Sequence, residues 1–108
     1  DIMAQLMLES VLEKHLKDAL DKLKIDHIKG NSRGLKGYPD KLVFAHQIFF
    51  VELKVGKEGG SYYKQTPMQK YWQRIIEKAG GTYLLLVGLK QVDEFIEMIK
   101  NNIKDPIN

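Results

Sequence analysis

Glycine limits what this chain can build. Gly30, Gly34 and Gly37 form one break, Gly56, Gly59 and Gly60 a second, and Gly80-Gly81 a third. Clustered glycine defeats both regular periods, so single helices, strands and hairpins must fill the intervals. Leu8, Leu12, Leu16, Ala19, Leu20 and Leu23 recur at helical spacing and predict an amphipathic helix over about 5–24. Residues 25–29 are short, hold two β-branched residues and stop at Gly30, which predicts a strand. Residues 41–45 and 48–55 predict two strands joined tightly near His46-Gln47, a hairpin. Thr66-Pro67 opens a second helix, with Thr at the cap and Pro at the first helical position. That helix should run to about Ala79 and stop at Gly80-Gly81. Residues 82–87 predict an apolar strand buried on both faces. From Val92 to about Asn102, Val92, Phe95, Ile96 and Ile99 predict a last helix. The order is α-β-β-β-α-β-α. A hairpin followed by a helical crossover implies an α/β fold, a mixed sheet with helices on both faces.

At 108 residues, 44% hydrophobic and 29% charged, the chain has the make-up of one packed domain rather than a disordered segment. With no Cys it has no disulfide, no thiolate zinc site and no cysteine nucleophile. The longest apolar run, Tyr83 to Val87, is strand-sized, well short of the ~20 residues that span a bilayer. The start carries no signal-peptide pattern, so an intracellular protein is expected. Asp1 is not an initiator; residues 1–4 are expected to be disordered or extraneous, with Met3 or Met7 as candidate native starts.

Seventeen Lys and Arg against fourteen Asp and Glu leave a net charge of +3. Its placement is more informative. Lys24, Lys29, Arg33, Lys36 and Lys41 crowd one segment against only Asp26 and Asp40. A second segment carries Lys54, Lys57, Lys64 and Lys70 interleaved with Tyr62, Tyr63, Tyr71 and Trp72. Cations mixed with aromatic rings suit a phosphate backbone and exposed bases. The plain alternative is a solvated lysine-rich surface.

Chemistry concentrates in the hairpin. Strand alternation puts Ile48, Phe50, Glu52 and Lys54 on one face and Phe49, Val51 and Leu53 on the other. Glu52 and Lys54 therefore stand side by side at the end of a strongly apolar strand, where charges are costly unless paired or metal-bound. An ion pair where the strand meets solvent would satisfy that alone. Pro39-Asp40 adds a positioned carboxylate at the start of the preceding strand, beside Glu52. Neighbouring carboxylates repel unless a cation lies between them, and oxygen ligands of this kind suit Mg²⁺ or Mn²⁺. Such an ion polarises a phosphodiester, and Lys54 can orient a water or stabilise developing negative charge.

Asp40 followed by Glu52-x-Lys54 resembles the catalytic signature of the restriction-endonuclease-like superfamily, the PD…(D/E)xK nucleases. More narrowly, Gly37-Tyr38-Pro39-Asp40, Phe50-Val51-Glu52-Leu53-Lys54, Thr66-Pro67-Met68-Gln69 and Gly80-Gly81 resemble, in order, the VRR-NUC (virus-type replication-repair nuclease) domain over nearly the whole chain. The resemblance implies a restriction-endonuclease-like core in a single domain over 1–108. It implies hydrolysis of DNA phosphodiesters with Mg²⁺ or Mn²⁺ held by Asp40, Glu52 and the Leu53 carbonyl. It adds a supporting carboxylate on the first helix. Glu13-Lys14-His15-Leu16 fits the family's Glu-x-x-Leu pattern, shared with archaeal-type junction resolvases, and Glu9 is the alternative. Gln69 corresponds to a glutamine facing the site, where it can bond a water, a carboxylate or a phosphate oxygen. Lys29, Ser32, Arg33, Lys36, Lys57 and Lys64 are the DNA-binding candidates. Stand-alone domains this short resemble enzymes that resolve four-way DNA junctions as homodimers, in the cytoplasm of a bacterium or a phage-infected host. Leu6, Met7 and Val11 are candidate contact residues for such a dimer.

A flap- or nick-directed or non-catalytic DNA-binding module on the same fold is the rival reading. A degenerate binder would be expected to lose Asp40, Glu52 or Lys54. A small interaction domain would explain an apolar first helix but not the clustered acids. No phosphate-binding loop, dinucleotide fingerprint or Gly-x-Ser-x-Gly elbow is present, so no nucleotide cofactor is expected. His15, His27 and His46 lack ligand spacing, and Trp72 with Ile75 and Ile76 reads as a helix core face.

Overall fold

The computed structural model describes residues 2–30, 34–56 and 64–104, with side chains for 8–30, 34–56 and 64–103. The elements are α1 (Ile2–Lys22), β1 (Asp26–Lys29), β2 (Lys41–Phe44), β3 (Ile48–Lys54), α2 (Pro67–Lys78), β4 (Thr82–Val87) and α3 (Gly88–Lys104). The order is the expected one. The sheet runs β1-β2-β3-β4; the first two pairings are antiparallel and β3–β4 is parallel, with α2 as the crossover.

Alternation along the strands sorts the helices. Val43, Phe49, Val51, Leu53 and Leu86 face a core completed by Leu12, Leu16 and Leu20 of α1 and Val92, Phe95 and Ile99 of α3. The other face carries Phe50 and, further along β3, Glu52 and Lys54, beneath α2. Ile76 anchors α2 there, close enough that a Cβ on Gly81 would stand 2.8 Å from its methyl and 3.1 Å from the Phe50 ring.

Several boundaries differ from expectation. α1 takes in residues 2–4 and ends at Lys22, two residues early, because the chain turns over in a Schellman motif. The Ile25 amide reaches the Leu20 carbonyl (2.9 Å) and the Lys24 amide the Asp21 carbonyl (3.0 Å). Lys24 takes the left-handed position at φ 59°. α2 closes with the same two bonds but puts Gly80 there. β1 begins at Asp26 and β3 ends at Lys54, while β2 stops at Phe44 because the Ala45 amide bonds the Gln47 carbonyl instead of the ladder. α3 starts at Gly88 rather than Val92; residues 88–91 place nothing in the core, so apolar periodicity does not reveal them. β4 lies at the end of the sheet, so Tyr83, Leu86 and Val87 are buried while Thr82, Leu84 and Leu85 are only half-buried. Leu8 is 51% and Ile75 39% exposed, both outside the core that their spacing suggested.

The left-handed conformation costs a residue with a Cβ ~1–2 kcal/mol. Lys24→Gly should therefore stabilise the domain by ~1 kcal/mol. A higher urea midpoint with an unchanged slope would show it, and no gain would mean that Lys24 is relaxed there.

Candidate active site

β2 and β3 pair with Lys41 opposite Val51. One step beyond the ladder, Asp40 comes opposite Glu52 on the face away from Lys41. Asp40 takes over where the ladder ends: its Oδ2 accepts the Leu53 amide at 2.7 Å. The Asp40 carbonyl in turn accepts the Gly30 amide at 2.8 Å, tying β1 to the same corner. The two carboxylates lie within hydrogen-bonding reach of each other.

Glu52 is only 4% exposed. Its Oε2 accepts Gln69 Nε2 at 3.3 Å and lies 3.9 Å from Lys54 Nζ. Its Oε1 is buried with no hydrogen-bond partner among the described residues. Gln69 has a second task that holds it in place. Its Oε1 accepts the Thr66 backbone N–H (2.8 Å) while its backbone N–H donates to Thr66 Oγ1 (3.2 Å), a capping box at the start of α2. One side chain thus caps the helix and orients the carboxylate.

The fourth wall is the loop 34–38. With Asp40, Glu52, Lys54 and Gln69 it encloses an open depression of about 350 Å³. Gly37 sits against α2 at φ 77°, where a Cβ would lie 2.7 Å from Met68, so no other residue fits there without displacing the helix start. Trp72 donates its indole N–H to the Lys36 carbonyl (3.0 Å) and meets Tyr38 edge-on at 5.0 Å. Trp72 is thus a half-buried staple for this loop, not the core residue its spacing suggested. Neither Trp72 nor Tyr38 was singled out from sequence as part of the site. The signal for Tyr38 was its place between Gly37 and Pro39.

Burial pushes the Glu52 carboxyl up to about 8, helped by the adjacent Asp40 charge and opposed by Lys54. Burial also raises Asp40, against the Leu53 amide, which favours its charged form. Among the described residues no three of His, Cys, Asp or Glu come together. The donor set is therefore two carboxylates, and one of them, Glu52, holds a buried oxygen that lacks a donor. That set fits a hard divalent cation, which takes one or two protein carboxylates and completes its shell with water and phosphate.

Of the other expected residues, Lys36 is exposed and lines the depression. Lys64 is exposed before the α2 cap. Ser32, Arg33 and Lys57 lie outside the described residues, as do the side chains of Leu6 and Met7; Val11 is 51% exposed. Glu13 is not in this depression. It is half-buried on α1 and lines a separate one with Lys17, Lys29 and Lys41, although its charge raises Asp40. Glu9 acts likewise on Glu52, so the helix carboxylates influence the pair from outside it. In the second depression the buried Lys41 donates to His27 Nδ1 (3.1 Å). His27 Nε2 then donates to Asp21 (2.7 Å), whose pKa Lys17 and His27 lower to about 2.

No protein-family model and no curated protein matches the sequence. Among solved structures, the chain is similar to one described as a VRR_NUC domain. The two are 30% identical, over 82% of this chain and 94% of that one, with a TM-score of 0.66.

Because folded Glu52 holds its proton up to about 8, against an ordinary 4.5, the folded state binds more protons than the unfolded one between those values. Its contribution to stability is full below the lower value and lost as pH rises through the upper. In chelator, the melting temperature should fall from pH 5 to pH 9, and Glu52→Gln should flatten that fall. A parallel decline in the variant would mean that Glu52 titrates normally.

Proposed function

The chain belongs to the VRR-NUC family, and from that premise we propose that it is a nuclease hydrolysing DNA phosphodiesters with a divalent cation held at Asp40 and Glu52. The buried, unpartnered Oε1 of Glu52 beside a second carboxylate carries this reading. A site with no function would leave such an oxygen facing solvent or bonded.

Asp40, Glu52 and the Leu53 carbonyl would hold Mg²⁺ or Mn²⁺, which when bound supplies charge neutralisation and polarisation of the phosphodiester. Lys54 sits beside Glu52, where its ammonium can orient the attacking water or stabilise negative charge building on the phosphate. Gln69 keeps Glu52 in one rotamer through the α2 cap. The Leu53 amide aims Asp40 and favours its charged form against the burial that raises it. Glu13, or Glu9 in its place, would contribute from α1 as a nearby negative charge. Lys29, Lys36 and Lys64, all exposed, would bind substrate phosphates together with Ser32, Arg33 and Lys57.

Within this reading the substrate is branched DNA, a four-way junction cut by a symmetric homodimer. A domain this small has one site, whereas resolving a junction takes two cuts, and two-fold symmetry supplies the second. Leu8 and Val11, each 51% exposed on α1, offer apolar surface for that contact.

The test is cleavage of labelled four-way junction, flap and linear duplex with Mg²⁺, Mn²⁺ or chelator, alongside sizing of the free protein. Junction cleavage by a dimer, abolished by chelator, is expected. Asp40→Asn and Lys54→Ala should each lower the rate at least ~100-fold with little change in DNA affinity. Cleavage that survives in chelator or in either variant would overturn the assignment. DNA binding with no cleavage under any metal would favour the non-catalytic module instead.

A further inference from the structure

The cations of this domain are not all alike. On α1, Lys14 is paired with Asp18 at 2.7 Å and Lys17 with Asp21 at 2.8 Å. The exposed side of α3 carries Asp93, Glu94 and Glu97. On α2, Lys70, Arg74 and Lys78 are all exposed, and among the described residues none meets a carboxylate. The nearby Glu77 carboxylate accepts from Gln73.

Their spacing of four residues places these cations along one helix ridge, each about 6 Å beyond the last. The ridge starts one residue after Gln69, whose side-chain amide touches Glu52, so it begins at the end of α2 nearest the active site. Alongside runs an exposed apolar strip, with Met68 41%, Tyr71 43% and Ile75 39% exposed. Ile75 and Trp72 border a groove of about 480 Å³ between α2 and the hairpin. Tyr38 lines both that groove and the active-site depression, so the two share a wall. A row of cations that meet no carboxylate among the described residues, beside aromatic and aliphatic surface on the helix whose Gln69 touches Glu52, is complementary to a nucleic acid strand.

We propose that the outer face of α2 is a substrate track, on which Lys70, Arg74 and Lys78 bind phosphates of the DNA strand leaving the active site and Tyr71 packs against its sugars and bases. The choice of DNA as occupant rests on the nuclease reading above. A protein partner would have to bring acids to this ridge, whereas DNA carries its charge in a regular row.

The test is fluorescence anisotropy of labelled duplex and single-stranded DNA in chelator, as a function of salt, with the full chain. Lys70→Ala/Arg74→Ala/Lys78→Ala keeps strong helix formers in place, which circular dichroism can verify. It should raise Kd by ~10–100-fold and reduce the slope of log K against log salt by about 2.7 on duplex or 2 on single strands, for three lost phosphate contacts. Tyr71→Ser should weaken single-strand binding roughly tenfold. Two controls isolate the ridge. Lys70→Arg/Arg74→Lys/Lys78→Arg should retain affinity and slope, and Lys14→Ala/Lys17→Ala should leave both unchanged. A triple alanine variant with wild-type Kd and slope overturns the track, as does an equal loss in the α1 control. Ridge-dependent binding without cleavage leaves the track standing and removes the nuclease reading. Cleavage with an unchanged slope in the triple variant does the reverse.

Discussion

The site depends on one hydrogen bond, from the Leu53 amide to Asp40 Oδ2 at 2.7 Å. It forms where the antiparallel ladder of β2 and β3 runs out, and it replaces a backbone carbonyl with a side-chain carboxylate. Asp40 is thereby brought onto the same face as Glu52, at the same end of the sheet. The alternation of β3 then adds Lys54, and the docking of α2 adds Gln69. Without that bond the pair would be two solvent-seeking acids at a strand end, with no reason to converge.

Much of this was legible in the sequence because strand parity is a local property. Residues 48–54 reveal that Glu52 and Lys54 share a face, and Pro39-Asp40 suggests a second carboxylate entering beside them. The cap of α2 is equally local, with Thr66, Pro67 and Gln69 in the right order. The double duty of Gln69 was not legible, since its far end depends on where α2 docks over β3. The placing of Glu13 and Glu9 was not legible for the same reason. Both lie on α1 at helical spacing, and only the packing of α1 against the opposite face shows that neither enters the depression.

Errors on α2 have a common cause. Trp72, Ile75 and Ile76 read as one buried stripe, but α2 crosses its face of the sheet alone, whereas α1 and α3 pack side by side on the other. A single helix buries only its line of contact. Ile76 therefore lies inside, Trp72 is half-covered and turned to the loop 34–38, and Ile75 is left exposed. The same exposure frees the neighbouring ridge for substrate. Lys14 and Lys17 of α1 are tied to their own helix by pairs four residues apart, which core periodicity does not reveal.

Whether Asp40 and Glu52 share a divalent cation is measured directly by calorimetric titration of the purified protein with Mn²⁺, with no DNA present. Saturable binding is expected at a site that Asp40→Asn and Glu52→Gln each abolish while the circular dichroism spectrum stays native. Mn²⁺ binding of unchanged affinity in both folded variants would contradict it, because the cation would then be held somewhere other than between these two acids.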